Sequence, residues 1–344
     1  MSQLRCTAAT HSSATSRRRG RNAAAVVAAV VAVLAASGVP AAAAAPLRIS
    51  AELTGLPGSS TMAAVDTRTG ILYVLDRSTG DITVMDAGGT RPVSTVASRG
   101  GPAVDVAIDP FRRELYVLHD GAPSVQVYDL ATHPDGTDAT VPVADIALPA
   151  SCAPADVTID SVGDHLFVIG PGCGAMTVVD TPSRTVSSMV PGSSSGAIGL
   201  DGPRRTVWLA GAKTAEISTF DADSFALVAS RSAAAGISEI VPDLDHDRLF
   251  VLTDELIELD LHDLSATWMT NTQGLVIDID LDPSAQVVYA LTRSGTLITA
   301  DKSRLWPPLV RVPGLGFPTS MVRDPVRGLV AVLSPREGLV RLVQ

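Results

Sequence analysis

Basic residues are scarce over most of this chain, and their scarcity excludes one broad class of partner. The first 46 residues hold five of the 26 Lys and Arg residues and no acidic residue. The rest of the chain therefore has 21 basic and 36 acidic residues, a formal charge of −15. A surface this acidic repels the phosphate backbone of nucleic acids. We expect no nucleic-acid partner.

Histidine and asparagine are scarce as well, which limits the chemistry that the chain can perform. There are six histidines, and Asn271 is the only asparagine after residue 46. The sequence has no Ser/His/Asp grouping of the kind that nucleophilic hydrolases use, and no glycine-rich loop of the kind that binds phosphate. No reaction is therefore indicated by a motif.

An apolar run follows a basic segment near the N-terminus. The basic residues 16–21 precede an uncharged apolar run, residues 23–36, and small residues then continue to residue 45. This order predicts a secretory signal peptide over residues 1–45, cleaved within residues 41–45. The alternative is an uncleaved membrane anchor, but the run is mostly alanine and shorter than the roughly 20 residues of a spanning helix. We expect a secreted or extracytoplasmic protein, which is bound to a membrane only if the segment is retained.

Cysteine is rare, with three residues in the whole chain. Cys6 belongs to the predicted signal peptide, so Cys152 and Cys173 remain as one possible pair. In an oxidising compartment outside the cytoplasm, an even number of cysteines indicates a disulfide. The sequence therefore predicts a disulfide between Cys152 and Cys173.

What the sequence does contain is a repeat of about 40 residues. Each unit opens on an aspartate that is followed, seven positions later, by an aromatic residue, as in DTRTGILYVL and DPFRRELYVL; the last unit has alanine instead. The seven opening aspartates, called the anchor residues below, are Asp66, Asp109, Asp160, Asp201, Asp243, Asp282 and Asp324. Seven units with one internal spacing indicate a repeat architecture. The anchors themselves are expected to start tight turns.

Each unit has the pattern of four short strands separated by Gly, Pro, Asp and Ser. The second strand is a nearly continuous run of Leu, Val and aromatic residues, which indicates burial on both of its faces. Four-stranded units of this length are typical of β-propeller blades. The predicted fold class is therefore all-β: a single domain over residues 46–344, forming a seven-bladed β-propeller with four-stranded antiparallel blades.

The last unit is short of a fourth strand, because the chain ends thirteen residues past Ala331. A segment that matches the missing strand, residues 48–53, precedes Asp66 by 18 to 13 residues. The fourth strand of unit 1 precedes Asp109 at the same offset to within one residue. We therefore expect the mature N-terminal strand to pair in the last blade and close the ring, which leaves no open sheet edge between the first and last blades.

The motifs DPFRRELYVLHD and DTRTGILYVLDRSTGDITVMD resemble the YVTN-type β-propeller repeat of exported bacterial and archaeal proteins. That repeat couples an Asp or Asn turn to a "YV" strand and then to a strand ending in Asp. The resemblance extends over nearly the whole mature chain and implies the propeller fold and export. The family includes surface-layer, binding and enzyme-like members, so it implies no single function.

Four acidic residues stand at one position of the repeat, four residues before the anchor and at the start of the innermost strand. They are Asp105, Asp156, Glu239 and Asp278, and the other three units have Met62, Ala197 and Ser320 there. In a propeller this position lies where the central channel opens, on what we call the channel-mouth face. Four carboxylates around one channel would suit Ca²⁺ or Mg²⁺, or a cationic ligand. The alternative is that each acid caps backbone N–H groups where its strand begins.

Loops that join second to third strands share the channel-mouth face, whereas the anchor hairpins lie on the opposite, far face. The histidines assigned to the far face are His133, His165, His246 and His262. His119 is the remaining one of the mature chain and is predicted to lie on the channel-mouth face. A solvated loop residue is the simpler reading, and a catalytic role is the alternative. The basic residues on channel-mouth loops are Arg77, Lys213, Arg293 and Arg336. They either receive an anionic ligand or balance neighbouring acids, and the second reading is the simpler.

The function predicted from these features is that of an exported binding or interaction module with no chemistry of its own. A protein, peptide or glycan would bind on the channel-mouth face, and a monomer without a cofactor is expected. The alternative is a lactonase-like hydrolase or lyase that depends on Ca²⁺ or Mg²⁺ held by some of the four acidic residues. Propeller lyases and lactonases of related architecture use clustered His, Glu or Asn ligands, and this chain is poor in His and Asn.

Overall fold

The chain folds as a ring of seven four-stranded antiparallel sheets, so the predicted seven-bladed β-propeller is confirmed. The computed structural model describes residues 47–86, 88, 92–98, 100–130, 141–192, 195–211, 213–243, 246–253, 255–269, 274–282, 286–301 and 310–344. The predicted signal peptide and His133 lie outside the described residues. Leu47–Gln344 forms one compact unit.

Strand β1 (Ile49–Thr54) comes first along the chain and belongs to the last blade. Blade 1 contains β2 (Ser60–Asp66), β3 (Ile71–Asp76), β4 (Ile82–Asp86) and β5 (Pro92–Val96). Blade 2 contains β6 (Ala103–Asp109), β7 (Glu114–His119), β8 (Ser124–Asp129) and β9 (Ala144–Ala147). Blade 3 contains β10 (Asp156–Asp160), β11 (His165–Ile169), β12 (Met176–Asp180) and β13 (Thr185–Val190).

Blade 4 contains β14 (Ser195–Asp201), β15 (Thr206–Gly211), β16 (Glu216–Asp221) and β17 (Leu227–Ser232). Blade 5 contains β18 (Glu239–Asp243), β19 (Arg248–Leu252), β20 (Leu256–Asp260) and β21 (Ala266–Met269). Blade 6 contains β22 (Val276–Asp282), β23 (Val287–Thr292), β24 (Thr296–Asp301) and β25 (Val310–Val312). Blade 7 contains β26 (Ser320–Asp324), β27 (Leu329–Ser334), β28 (Leu339–Val343) and β1. Among the described residues the single helical element is a 3₁₀ turn, Pro335–Glu337, and none of them forms a helix able to span a membrane.

The first strand of each blade lines the central channel. These inner strands contact one another around the ring, from β2 through β6, β10, β14, β18 and β22 to β26, which contacts β2 again. The second strands are sandwiched between neighbouring blades: β3, β7 and β27 are buried along their whole length. The prediction that second strands are buried on both faces is therefore confirmed.

The core is divided among the seven blade interfaces. Each pair of neighbouring blades encloses its own cluster of buried apolar residues. The aromatic residues seven positions after the anchors supply most of the largest of these side chains, and Tyr73, Tyr116, Phe167 and Phe250 are completely buried. Because stacked sheets pack about 10 Å apart, large side chains are needed to fill the space between blades.

The ring is closed by the first strand, as predicted. β1 pairs antiparallel with β28 in the sheet order β1-β28-β27-β26, and Leu53 lies opposite Val340. Leu53 is fully buried in the cluster between blades 7 and 1. The strand spans residues 49–54, one residue later than the segment predicted from the repeat.

Each anchor aspartate begins a far-face hairpin, which confirms the predicted turns. In blade 2, Asp109 Oδ1 accepts hydrogen bonds from the backbone N–H groups of Phe111, at 2.9 Å, and Arg112, at 3.1 Å. The residue four positions after each anchor has a left-handed backbone with φ between 52° and 79°: Gly70, Arg113, Asp164, Arg205, Asp247, Gln286 and Gly328. Four residues separate the paired strand ends, as between Asp109 and Glu114 in blade 2, and the left-handed residue is the last of them.

The predicted disulfide between Cys152 and Cys173 is present, with the two Cα atoms 4.2 Å apart. Cys152 lies in the loop that leads into β10, and Cys173 in the loop between β11 and β12. Both sulfur-bearing residues are buried, so the bridge ties two channel-mouth loops of blade 3 together beneath the surface.

Candidate functional site

The four acidic residues at the starts of inner strands line one cavity in the channel. This cavity, called the inner chamber, has a volume of about 430 Å³ and is lined by Asp105, Asp156, Glu239 and Asp278 together with Thr61, Ser320 and apolar neighbours. The repeat therefore places the acids as predicted, since equivalent positions of a propeller face the same channel.

Within the chamber the acids form two pairs. Asp105 and Asp156, from blades 2 and 3, share a hydrogen bond between their carboxyl groups, and so do Glu239 and Asp278, from blades 5 and 6. Among the residues that the structure describes, no three Asp, Glu, His or Cys side chains are grouped closely enough to hold a metal ion. The arrangement is thus one of separate pairs on opposite sides of the channel.

Each pair also connects neighbouring blades. Asp105 Oδ2 accepts a hydrogen bond of 2.8 Å from Val157 N–H in blade 3, and Asp278 Oδ2 accepts one of 2.6 Å from Met321 N–H in blade 7. Glu239 Oε2 accepts one of 3.1 Å from Ile279 N–H in blade 6. In every case the donor stands three positions before the anchor of the following blade.

The acids were predicted to cap backbone N–H groups where their own strands begin, and only some of their hydrogen bonds are of this kind. Asp105 Oδ1 does accept a hydrogen bond of 2.8 Å from the N–H of its neighbour Val106. The bonds to the next blade were not predicted, because the sequence pattern shows strand starts but not which unpaired N–H groups face them. The signal available was the repeat itself: an acid four positions before one anchor, and an N–H three positions before the next.

Burial raises the pKa of all four carboxyl groups. The pKa values of Asp105 and Glu239 lie well above the ordinary range, because burial and the negative partner carboxylate act in the same direction. Burial raises the pKa of Asp278 to about 7, against hydrogen bonds from Met321 and Ile279 that lower it. Burial also raises the pKa of Asp156, and its hydrogen bonds oppose this shift. In each pair, burial thus favours the uncharged form of the carboxyl groups.

Two hydroxyl groups of the chamber have no hydrogen-bond partner among the residues that the structure describes. Ser320, which occupies the acid position in blade 7, is 9% exposed, and its Oγ has no partner; neither has Thr61 Oγ1 in blade 1. Both side chains line the chamber wall. Buried hydroxyls normally find a partner, so this part of the wall can still donate to or accept from a bound molecule.

A second and wider cavity lies at the channel mouth. This outer vestibule has a volume of about 870 Å³ and shares six lining residues with the inner chamber: Thr61, Met62, Ser238, Leu252, Ile277 and Thr319. Three of the four basic residues predicted on channel-mouth loops, Arg77, Arg293 and Arg336, line it, and Lys213 does not. The guanidinium group of Arg336 lies 5.7 Å from the centre of the Phe317 ring.

His119 is not the solvated loop residue that the sequence suggested. It ends strand β7 and is completely buried, with Nδ1 3.0 Å from Gly101 O and Nε2 3.0 Å from Gln126 Oε1. The loop before β6 covers it, and a Cβ on Gly100 would lie only 2.4 Å from the imidazole ring. This histidine holds a loop in place, and the prediction of a solvated side chain was wrong.

Comparison of the chain with models of known protein families found no match, and comparison with curated protein sequences found none either. The resemblance to YVTN-type repeats therefore stays a prediction.

Proposed function

We propose that this chain is an exported binding module of the YVTN type that holds a ligand or a protein, peptide or glycan partner on its channel-mouth face and performs no chemistry of its own. The outer vestibule is the observation that carries this proposal. Its volume of about 870 Å³ falls in the range of established ligand sites, and polar, charged and apolar side chains line it together.

The rigid ring supports binding at this place. The vestibule wall comes from loops that begin and end on strands of blades 1, 5, 6 and 7, and the disulfide fixes two further channel-mouth loops in blade 3. Preformed loops lose little conformational freedom when a partner binds, which favours affinity.

The engagement of the chamber carboxylates favours binding over catalysis. Asp105, Glu239 and Asp278 each direct an oxygen to a backbone N–H of the next blade. A catalytic or metal-binding role would compete with these bonds, which join the blades together. The carboxylates are thus explained by the architecture.

The rival proposal is a lyase or hydrolase that uses Ca²⁺ or Mg²⁺ in the inner chamber. One observation favours it: the partnerless hydroxyls of Ser320 and Thr61 stand in the same wall as four carboxylates, and oxygen atoms are the ligands that these cations prefer. Thermal melts in EDTA and then in excess Ca²⁺ or Mg²⁺ discriminate the two. A reversible rise in melting temperature supports the rival, because a ligand of the native state stabilises it.

The binding proposal is tested by comparing the two faces of the ring. Phe317 on the channel-mouth face is 60% exposed, and Phe111 in a far-face hairpin is 72% exposed, which makes Phe317→Ser and Phe111→Ser a matched pair. Immobilised wild type and variants are used to capture molecules from the secreted fraction of the producing cells, and the captured material is quantified. We expect Phe317→Ser to lose the captured partner and Phe111→Ser to retain it. The reverse pattern would transfer the binding surface to the far face and refute the proposal.

A further inference from the structure

The arginines of the outer vestibule come from three consecutive blades. Arg77 follows β3 in blade 1, Arg293 follows β23 in blade 6, and Arg336 lies in the 3₁₀ turn after β27 in blade 7. Blades 6, 7 and 1 are neighbours around the ring, so the three cations occupy one sector of the mouth. All three side chains are exposed.

These three arginines differ from most of the other arginines that the structure describes, because no acidic side chain among the described residues forms an ion pair with them. The arginines that do form ion pairs there are Arg112, Arg113, Arg184, Arg204, Arg205, Arg248, Arg323, Arg327 and Arg341. On a chain with a formal charge of −10, acidic residues are plentiful. Three unpaired cations around one cavity therefore create a local positive field in an otherwise negative molecule.

The side chains between the arginines are apolar or carry hydroxyl groups. Phe317, Leu275 and Met62 line the vestibule and are 60%, 37% and 36% exposed. Thr253 and Ser238 add hydroxyl groups to the wall. A ligand that fits this lining carries negative groups spread over several ångströms and an apolar portion between them.

The inner chamber limits how far such a ligand enters. Its two carboxyl pairs lie directly beneath the vestibule, and the cavities share wall residues. Among the described residues, the chamber wall has four carboxyl groups and no basic side chain, so a negative ligand gains nothing by entering it and stays at the level of the arginines. Arginine is suited to hold it there, since the planar guanidinium group forms two parallel hydrogen bonds to one carboxylate.

We propose that the outer vestibule binds a small organic polyanion, with two or three carboxylate groups held by Arg77, Arg293 and Arg336 and an apolar portion against Phe317. The proposal rests on the proposed binding function of the channel-mouth face and names its ligand chemistry. The cavity volume of about 870 Å³ sets the size of the ligand at that of a small molecule or of the end of a larger one.

Calorimetric titration with citrate and with benzenetricarboxylate, at constant ionic strength, tests the assignment. The variant Arg77→Gln/Arg293→Gln/Arg336→Gln is compared with Arg68→Gln/Lys213→Gln/Arg231→Gln, which removes three exposed cations outside the vestibule and so changes the net charge equally. We expect saturable binding by wild type and by the control variant. The vestibule variant is expected to bind at least about a hundredfold more weakly, since a charged hydrogen bond contributes about tenfold or more in affinity.

The variant Phe317→Ser tests whether the apolar portion of the ligand contacts the aromatic ring. It is expected to lower the affinity for benzenetricarboxylate more than the affinity for citrate. Unchanged affinity in the vestibule variant, or no saturable binding by wild type, would overturn the proposal. Equal affinity for inorganic sulfate would also overturn it, because the organic portion would then contribute nothing. If citrate and benzenetricarboxylate fail but partner capture still depends on Phe317, the binding function stands and only the ligand class is wrong.

Discussion

Single carboxylates connect the blades of this ring at the channel. Asp105, Glu239 and Asp278 each accept a hydrogen bond from the inner strand of the following blade. An inner strand is a sheet edge, so part of its backbone N–H groups lack a ladder partner. A buried N–H without a partner costs free energy, and the carboxylate oxygen removes that cost while adding a hydrogen bond between two neighbouring sheets.

Asp278→Asn is expected to flatten the pH dependence of stability. The pKa of Asp278 is raised from 3.8 to about 7, so between these values the native state binds more protons than the unfolded state. The free energy of unfolding therefore falls as the pH rises through this window. Asparagine keeps the oxygen that accepts from Met321 N–H and cannot ionise. Between pH 4 and pH 8 we expect the free energy of unfolding of wild type to fall by roughly 1–3 kcal/mol more than that of the variant, as measured by urea unfolding.

Asp120→Asn is the control for this measurement, because Asp120 is exposed on a channel-mouth loop. Its pH profile should follow that of wild type. If Asp278→Asn also follows the wild-type profile, the raised pKa of Asp278 is disproved. The neighbouring charge of Asp280, which acts on both Glu239 and Asp278, and that of its ion-pair partner Arg323 are unchanged in both variants.

At this scale the sequence predicted positions but not contacts. The four acids were placed at the channel because they share one position in the repeat. Their division into pairs depends on the distances across blades, which no single unit contains. His119 shows the same limit: its burial comes from the Gly100 and Gly101 loop that folds over it, not from its own strand.

The far-face hairpins show how one element is specified by few residues. All seven end on a left-handed residue four positions after the anchor, yet only Gly70 and Gly328 are glycines. A side chain in the left-handed region costs about 1 kcal/mol, and five hairpins carry that cost. The anchor aspartate predicted the turn, whereas the left-handed residue was not predicted, since Arg, Asp and Gln at that position give no signal in the sequence.

Gly328→Ala is expected to lower stability by about 1 kcal/mol, because the added Cβ penalises a backbone with φ of 62°. A Cβ there has no atom within 4 Å, so the effect is one of conformation and not of crowding. Gly202→Ala in the corresponding hairpin of blade 4 is the control: it also has open space, and its φ is not positive. It is expected to be neutral or slightly stabilising. Equal losses for the two variants in chemical denaturation would contradict the argument.

The whole molecule is held as a ring by one strand from the beginning of the chain. β1 supplies the outer strand of blade 7, and Leu53 fills the cluster between blades 7 and 1. In a ring each blade is supported on both sides, so a defect at the closure affects two interfaces. This level was the most predictable from sequence, because a missing strand at one end and a spare segment at the other are visible in the spacing alone.

Leu53→Ala is expected to destabilise the protein by about 2–5 kcal/mol, the usual effect of truncating a fully buried leucine. Leu227→Ala is the comparison, since Leu227 also lies in the outermost strand of a blade but is 58% exposed. That variant should lie within about 0.5 kcal/mol of wild type. Urea unfolding measures both, and similar values for the two leucines would mean that ring closure by β1 contributes little.

The sequence predicted on which face of the propeller the vestibule arginines lie, but not which groups surround them. Their loops were assigned correctly from the strand order, but balancing of their charge by nearby acids was the simpler reading. The described residues provide no such ion pairs, because the acids at the channel are turned toward backbone N–H groups and toward one another. Orientation of side chains of this kind is decided by packing across blades and leaves no periodic trace in the sequence.

The ends of the propeller meet as partners in one ladder: Arg48 N–H donates to Gln344 O and Gln344 N–H donates to Arg48 O, each at 3.0 Å. A short peptide joining these two residues would give a continuous loop of polypeptide with no terminus in the sheet. New termini could then be opened at an exposed hairpin tip of another blade, with every strand pairing kept. Circular permutants of this protein should consequently fold to the same ring. The two ends lie in blade 7 because of the order of the segments along the chain, and the ring itself does not require that position.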